Sequence, residues 1–72
     1  MFTERLVALR KSKKVAQKHI ASALGLSERH YQGIEYGATK PGFDNLIALA
    51  DFFDVSLDYL VGRSDKPFSH KE

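Results

Sequence analysis

The segment 17–37, which reads QKHIASALGLSERHYQGIEYG, constrains the fold of this chain more than any other part. Apolar residues from Ile20 to Leu24 recur at helical spacing, which predicts a short amphipathic helix. Gly25 is expected to end that helix, because glycine adopts the left-handed conformation of a helix C-terminus at least cost. Ser27 is then a favourable N-cap for a second helix.

The second helix is predicted over residues 28–36, with Tyr31 and Ile34 facing inward and Gly37 at its end. The connection over residues 25–27 is too short for hairpin packing, so the two helices are expected to cross steeply. Two short helices joined in this way by a turn with glycine form a helix-turn-helix. The second helix of that motif is free to enter a DNA major groove.

Many further positions match one known pattern at fixed spacing, which makes the match specific. They are Gln17, Ala21, Gly25, Leu26, Ser27, Ile34, Glu35, Gly37, Pro41 and the run VSLDYL over 55–60. In these residues the chain resembles the Cro and phage-repressor type of helix-turn-helix protein, the XRE family, over nearly its whole length. The resemblance implies a bacterial or phage-derived protein with an all-α, compact five-helix, lambda-repressor-like DNA-binding domain. Such domains usually act as homodimers that regulate transcription.

The length of 72 residues permits one small domain, for which we predict residues 1–63, with a disordered polar tail over 64–72. There is no cysteine, so disulfides and thiolate metal sites are excluded. No apolar run approaches the roughly 20 residues that cross a bilayer, and no secretory pattern opens the chain. A cytoplasmic protein without membrane contact is expected.

The net charge of +2 is distributed unevenly along the chain. Residues 1–40 carry eight Lys or Arg and three acids, whereas residues 41–72 carry three Lys or Arg and six acids. Such a charge dipole orients one face toward phosphate. A solvated lysine-rich loop over 10–14 is the simpler alternative, but it leaves Lys18, Arg29 and Lys40 unexplained.

Three further helices are predicted around the motif. The first has Thr3 as its N-cap and ends in the cationic run over 10–14. The fourth covers residues 43–53, after a loop marked by Pro and Gly. A last short helix covers residues 57–61, capped by Ser56.

Recognition helices of this fold present their N-terminal residues and one outward face to base edges. The resemblance therefore implies base contacts by Ser27, Glu28, Arg29, Gln32 and Gly33. Arg29 can donate two parallel hydrogen bonds to guanine, and its alternatives are a phosphate contact or a free surface position. Glu28 either accepts from cytosine or stabilises the helix start. Glycine within a helix costs about 1 kcal/mol relative to alanine, so either DNA approaches the backbone at Gly33 or the position is unused.

The family's clamp on the DNA backbone implies phosphate contacts by Lys14, Gln17, Lys18 and Lys40. These contacts set register and carry no sequence information. The family usually places Ser or Thr before Gln17, but this chain has Ala16. The absent cap leaves backbone N–H groups that phosphate or water can satisfy.

Arg10 and Glu35 match positions that pair in the phage-repressor type, which implies a structural ion pair. If the pair is partly buried, truncation of one partner costs about 3–5 kcal/mol. Tyr31 is expected in the core, with its hydroxyl at the edge.

Apolar residues beyond the inward face of helix four suggest that two copies meet on the acidic half of the chain. The predicted dimer-interface residues are Ile47, Phe52, Tyr59 and Val61. A two-fold dimer places its recognition helices about 34 Å apart and requires a palindromic operator.

The chain lacks a Gly-rich phosphate loop and a nucleophile elbow, and its three histidines lack metal-ligand spacing. An enzyme, a metal site and a cofactor are therefore not expected, and so small a chain leaves no room for a small-molecule effector domain. Double-stranded DNA and a second copy are the expected partners. The alternative is a protein-binding module, such as an antitoxin that holds its toxin through helix four or the tail.

Overall fold

The computed structural model describes residues 2–67 and contains five α-helices in that range. They are α1 (Phe2–Ser12), α2 (Gln17–Leu24), α3 (Glu28–Tyr36), α4 (Phe43–Phe53) and α5 (Leu57–Leu60). All regular secondary structure among the described residues is helical, which confirms the predicted all-α, five-helix architecture. Between residues 2 and 67, every helix is too short or too polar to span a membrane.

Two helix ends differ from the sequence prediction. α1 already includes Thr3, so that residue is not the N-cap. The helix extends to Phe2 because this apolar side chain packs against the core. α5 ends at Leu60, and Val61 becomes its C-cap. The chain turns back there because the backbone N–H of Arg63 donates to the Asp58 carbonyl over 2.8 Å.

The turn between α2 and α3 has the predicted structure. Gly25 lies in the left-handed region with φ 73°, and its N–H caps carbonyls in the last turn of α2. Leu26 continues the cap by donating its N–H to the Ala21 carbonyl over 2.8 Å. The Ser27 hydroxyl accepts a hydrogen bond of 3.0 Å from the His30 N–H. One helix is thus ended and the next begun within three residues.

The hydrophobic core lies where all five helices meet. Its buried members are Leu6, Ile20, Ala21, Tyr31, Ile34, Leu49, Ala50, Phe53 and Leu60. The α2–α3 packing is the most extensive helix contact, and α1 packs against both α3 and α5. α3 is consequently supported from two sides, and its third side is left open.

Arg5 of α1 holds the segment that follows α5. Its Nη1 donates to the carbonyls of Tyr59 and Ser64, over 2.9 and 2.8 Å. The guanidinium also lies 4.1 Å from the centre of the Tyr59 ring. The Ser56 N–H donates to the Pro67 carbonyl, so residues 64–67 are bonded to the bundle. The rest of the predicted tail, 68–72, lies outside the described residues, and the domain boundary remains a prediction.

Candidate nucleic-acid interface

α3 has one face in the core and one face in solvent. Its buried residues are Tyr31, Ile34 and Glu35. Since successive residues of an α-helix are about 100° apart, the opposite face carries Arg29, Gly33 and Tyr36. Arg29 is exposed, and Tyr36 is 74% exposed. α3 therefore presents one side away from the core.

The residues predicted to contact bases lie at the start of α3 and along its outward side. Ser27, Glu28 and Arg29 are exposed around its first turn, whereas Gln32 and Gly33 are partly buried. Ser27 already uses its hydroxyl as the N-cap. Glu28 lies in the first turn, where a carboxylate interacts favourably with the helix dipole.

Gly33 fits closely against a residue of the loop that follows α3. A Cβ atom built on Gly33 would lie 2.8 Å from Thr39 Oγ1 and 3.4 Å from Thr39 Cβ. The first distance is shorter than van der Waals contact, so the loop can take this position because residue 33 has no side chain. Neither explanation from the sequence included this contact within the chain.

The lysines predicted to contact phosphate are all exposed. Lys14, Lys18 and Lys40 lie before α2, in its first turn and after α3. Lys14 adopts φ 56°, a left-handed conformation, within the α1–α2 loop. Arg5 and Arg10 are largely covered by their internal partners. The lysines and Arg29 therefore supply the accessible charge around the motif.

Arg10 and Glu35 form a bidentate ion pair between α1 and α3. Arg10 Nε donates to one carboxylate oxygen, and Nη2 donates to the other over 3.2 Å. The Glu35 side chain is only 2% exposed. Nη1 of Arg10 also donates to the Val15 carbonyl over 3.1 Å. One guanidinium therefore links α1, the loop before α2, and α3.

Two predicted DNA-contacting glutamines extend this hydrogen-bond network. Gln17 Nε2 donates to Glu35 Oε1 over 2.9 Å, and Gln32 Nε2 donates to Gln17 Oε1 over 3.2 Å. Their side chains thus connect α2 to α3 in the free protein. A phosphate at Gln17 can be bound by backbone N–H groups, because Ala16 supplies no side-chain cap to α2.

The electrostatics of the network favour an ionised Glu35. Burial opposes ionisation, but the surrounding donors, above all Arg10, outweigh it and lower the pKa of Glu35 below its ordinary value. The hydrogen bond to Glu35 raises the pKa of Arg10.

Tyr31 differs from the prediction, because its hydroxyl is buried and not at an edge. The hydroxyl lies near Glu35 without meeting hydrogen-bond geometry within the described residues, and burial raises the pKa of Tyr31.

The predicted dimer-interface residues do not share one surface. Ile47 is 38% exposed, whereas Phe52 packs against the core and contacts Phe53 edge-on at 5.1 Å between ring centres. Phe52 follows Ile47 by five positions, so the two side chains lie about 140° apart around α4. Tyr59 and Val61 are partly buried, and the Tyr59 ring is covered by Arg5.

Three residues on or near α3 and the start of α4 were not singled out from the sequence. Tyr36 continues the face of Arg29 and Gly33, and Phe43 is 69% exposed at the start of α4. Tyr36 follows Arg29 by seven positions, so helical periodicity puts both on one face and could have identified Tyr36 from the sequence. Thr39 had no such pattern, because its position depends on how the loop folds back on α3.

The sequence model of the helix-turn-helix family matches residues 6–60 of this chain. The chain is 39% identical to the uncharacterized HTH-type transcriptional regulator YobD of Bacillus subtilis, over 93% of this chain and 60% of that protein. It is 37% identical to the cryptic phage CTXphi transcriptional repressor RstR of Vibrio cholerae, over 83% of this chain and 54% of that protein. Among solved structures it is similar to the P22 c2 repressor protein in complex with a synthetic operator. That similarity has a TM-score of 0.81 at 31% identity, over 89% of this chain and 97% of that chain.

These relatives are named as regulators and not as enzymes, which confirms the prediction that this chain is not an enzyme. The match also confirms the predicted Cro and phage-repressor type and the lambda-repressor-like fold. The chain spans 60%, 58% and 54% of the length of three curated relatives that it matches.

Proposed function

This chain belongs to the helix-turn-helix family, in its Cro and phage-repressor type, and we propose that it is a sequence-specific DNA-binding regulator of transcription that acts as a repressor. The observation that carries the proposal is the outward side of α3, where Glu28, Arg29 and Tyr36 are exposed. The buried Arg10–Glu35 pair holds this helix against α1. A rigid, exposed helix with flanking lysines suits entry into a major groove.

Base contacts are proposed for the first turn of α3 and its outward face. Arg29 is exposed and can place its guanidinium against O6 and N7 of one guanine. Glu28 can accept from cytosine, and Ser27 and Gln32 can contact an adjacent base or phosphate. Gly33 offers no side chain, so any contact there comes from its backbone or from a neighbour.

Phosphate contacts are proposed for Lys14, Lys18, Lys40 and the uncapped N-terminus of α2 at Gln17. The helix N-terminus and the lysines together form a positive rim beside α3. The observed binding constant should fall as salt increases, with a logarithmic slope of about −0.9 for each phosphate neutralised. Association with a protein through apolar residues should weaken little over the same salt range.

We further propose that two copies bind a palindromic operator, with recognition helices about 34 Å apart. Of the four residues predicted for the interface, Ile47 is the most exposed, and we place the contact between copies around it. Light scattering at micromolar concentration, with and without the operator, measures the oligomeric state. A strict monomer in both conditions would remove this part of the proposal.

Selection of bound duplexes from a random pool tests the proposed function directly. The sample for Arg29→Ala should lose preference at one symmetric pair of positions, worth about 1–3 kcal/mol of discrimination. Arg63→Ala is the matched control, because it removes another exposed arginine, beyond α5. An unchanged motif from Arg29→Ala would refute the base contact. Absence of any duplex binding at low ionic strength would refute the function.

A regulator of transcription works beside the chromosome, so we propose a cytoplasmic location in a bacterial cell. The antitoxin-like alternative is not favoured, because the matching relatives are named as transcriptional regulators and a phage repressor.

A further inference from the structure

The loop after α3 places Thr39 where a side chain of residue 33 would project. The direction from Gly33 toward a Cβ atom leads away from the core, on the same face as Arg29. Thr39 Oγ1 is the nearest atom along that direction, at 2.8 Å from the ideal Cβ position. The hydroxyl therefore occupies the outward position that glycine leaves open.

The position of Thr39 is fixed by backbone hydrogen bonds. The N–H groups of Ala38 and Thr39 donate to the Gly33 carbonyl over 2.9 and 3.1 Å. Gly37 makes this return possible with φ 82°, a left-handed C-cap. Threonine is also restricted in χ1, because its Cβ is branched. The side chain is thus held over the last turn of α3.

The Thr39 hydroxyl has no hydrogen-bond partner within residues 2–67, and the residue is partly exposed. A hydroxyl both donates and accepts, so it can bond to a base edge in the major groove. Glycine in a helix is unfavourable relative to alanine. The chain accepts that cost at the position where a larger residue would displace the hydroxyl.

We propose that Thr39 is a specificity-determining residue, whose hydroxyl contacts a base in place of the side chain that position 33 lacks. This inference rests on the proposed binding of double-stranded DNA. Residue 33 lies one helical turn beyond Arg29, about 6 Å along α3. Because base pairs are spaced by about 3.4 Å, the Thr39 contact falls within about two base pairs of the Arg29 contact.

The test is duplex selection from a random pool with the full chain and two variants that each remove one group of the Thr39 side chain. Thr39→Val keeps the branched shape and removes the hydroxyl, whereas Thr39→Ser keeps the hydroxyl and removes the methyl group. In Thr39→Val, the base preference at one symmetric pair of positions should fall about fivefold, which is the effect of one hydrogen bond. Thr39→Ser should retain that preference, and the salt dependence of both variants should match that of the parent. Thermal unfolding confirms that each variant is folded.

Three results would overturn the inference. If Thr39→Val selects the parental motif while Arg29→Ala loses its own position, Thr39 does not determine specificity although the proposed function stands. If Thr39→Val weakens binding equally for all sequences and lowers the salt slope, the contact is to phosphate. If the parent chain binds no duplex, the proposed function and this inference both fail.

Discussion

Replacement of Arg10 by methionine should expose how strongly the buried ion pair holds α3. Methionine keeps most of the apolar stem but removes both hydrogen bonds to Glu35. Glu35 then retains the Gln17 bond of 2.9 Å, with its side chain 2% exposed. An uncompensated buried charge costs about 3–5 kcal/mol.

That cost is a large share of the total stability. A domain of this size is stable by roughly 4–11 kcal/mol, at about 0.05–0.15 kcal/mol per residue. Because 1 kcal/mol moves the Tm of a small domain by about 4–8 °C, Arg10→Met should lower the Tm by at least about 12 °C. Urea and thermal unfolding followed by circular dichroism at neutral pH measure both quantities.

Two further variants separate the buried charge from the loss of an arginine. Arg63→Met changes an exposed arginine and should alter stability by less than about 0.5 kcal/mol. Arg10→Met combined with Glu35→Leu replaces the pair by apolar groups and should recover most of the loss. The reasoning is refuted if Arg10→Met costs less than about 1 kcal/mol, or if the double variant is no more stable than it.

The pH dependence of stability independently checks the direction of the Glu35 pKa shift. In the parent chain the pKa of Glu35 is lowered, so its stabilising contribution is present above about pH 4.3 and is lost as pH falls below that value. In Arg10→Met the main contribution that opposes burial is removed, so burial should raise the pKa of Glu35 above its unfolded value. The penalty should then shrink as pH falls from 7 toward 5, and the stability gap between the two proteins should narrow. A gap that widens on acidification would contradict this assignment.

Two more substitutions are informative for stability. Gly33→Ala should destabilise the chain, although alanine is the better helix former by about 1 kcal/mol, because its Cβ would meet Thr39 Oγ1 at 2.8 Å. In a Thr39→Ala background, Gly33→Ala should instead stabilise the chain. Urea unfolding of the parent, the two single variants and the double variant measures this difference, and additive effects would refute the contact. Tyr31→Phe should raise the free energy of unfolding by about 1 kcal/mol, because it removes a buried hydroxyl without a hydrogen-bond partner in the described chain. A loss of stability in Tyr31→Phe would mean that the hydroxyl is satisfied.

Local sequence rules predicted the turn of the helix-turn-helix because local forces determine it. Gly25 supplies the left-handed backbone that ends α2, and Ser27 accepts a hydrogen bond from the residue three positions ahead. Neither feature depends on distant packing. The helix start at Phe2 was missed because that side chain gains its stability from the core. Arg5 was missed for the same reason, since its bond to the Ser64 carbonyl joins residues 59 positions apart.

The candidate site was less predictable, because its side chains serve the fold and the surface together. Gln17 was assigned to phosphate from the resemblance to the family, whereas its amide links Glu35 to Gln32 in three dimensions. Thr39 could not be linked to Gly33 from spacing, since the contact requires the loop to return over α3. Local patterns therefore identified the exposed helix, and tertiary structure identifies what surrounds it.

The shared hydrogen-bond network determines which substitutions can report on DNA binding. Any change at Gln17 or Gln32 also disturbs the contacts of a buried carboxylate, so a loss of affinity there combines misplacement of α3 with a lost DNA contact. Arg29 and Lys40 are exposed and have no hydrogen bond or ion pair to other side chains within residues 2–67. Binding defects at these two positions can be assigned to the nucleic acid itself, and they give the reference against which effects at the glutamines must be corrected.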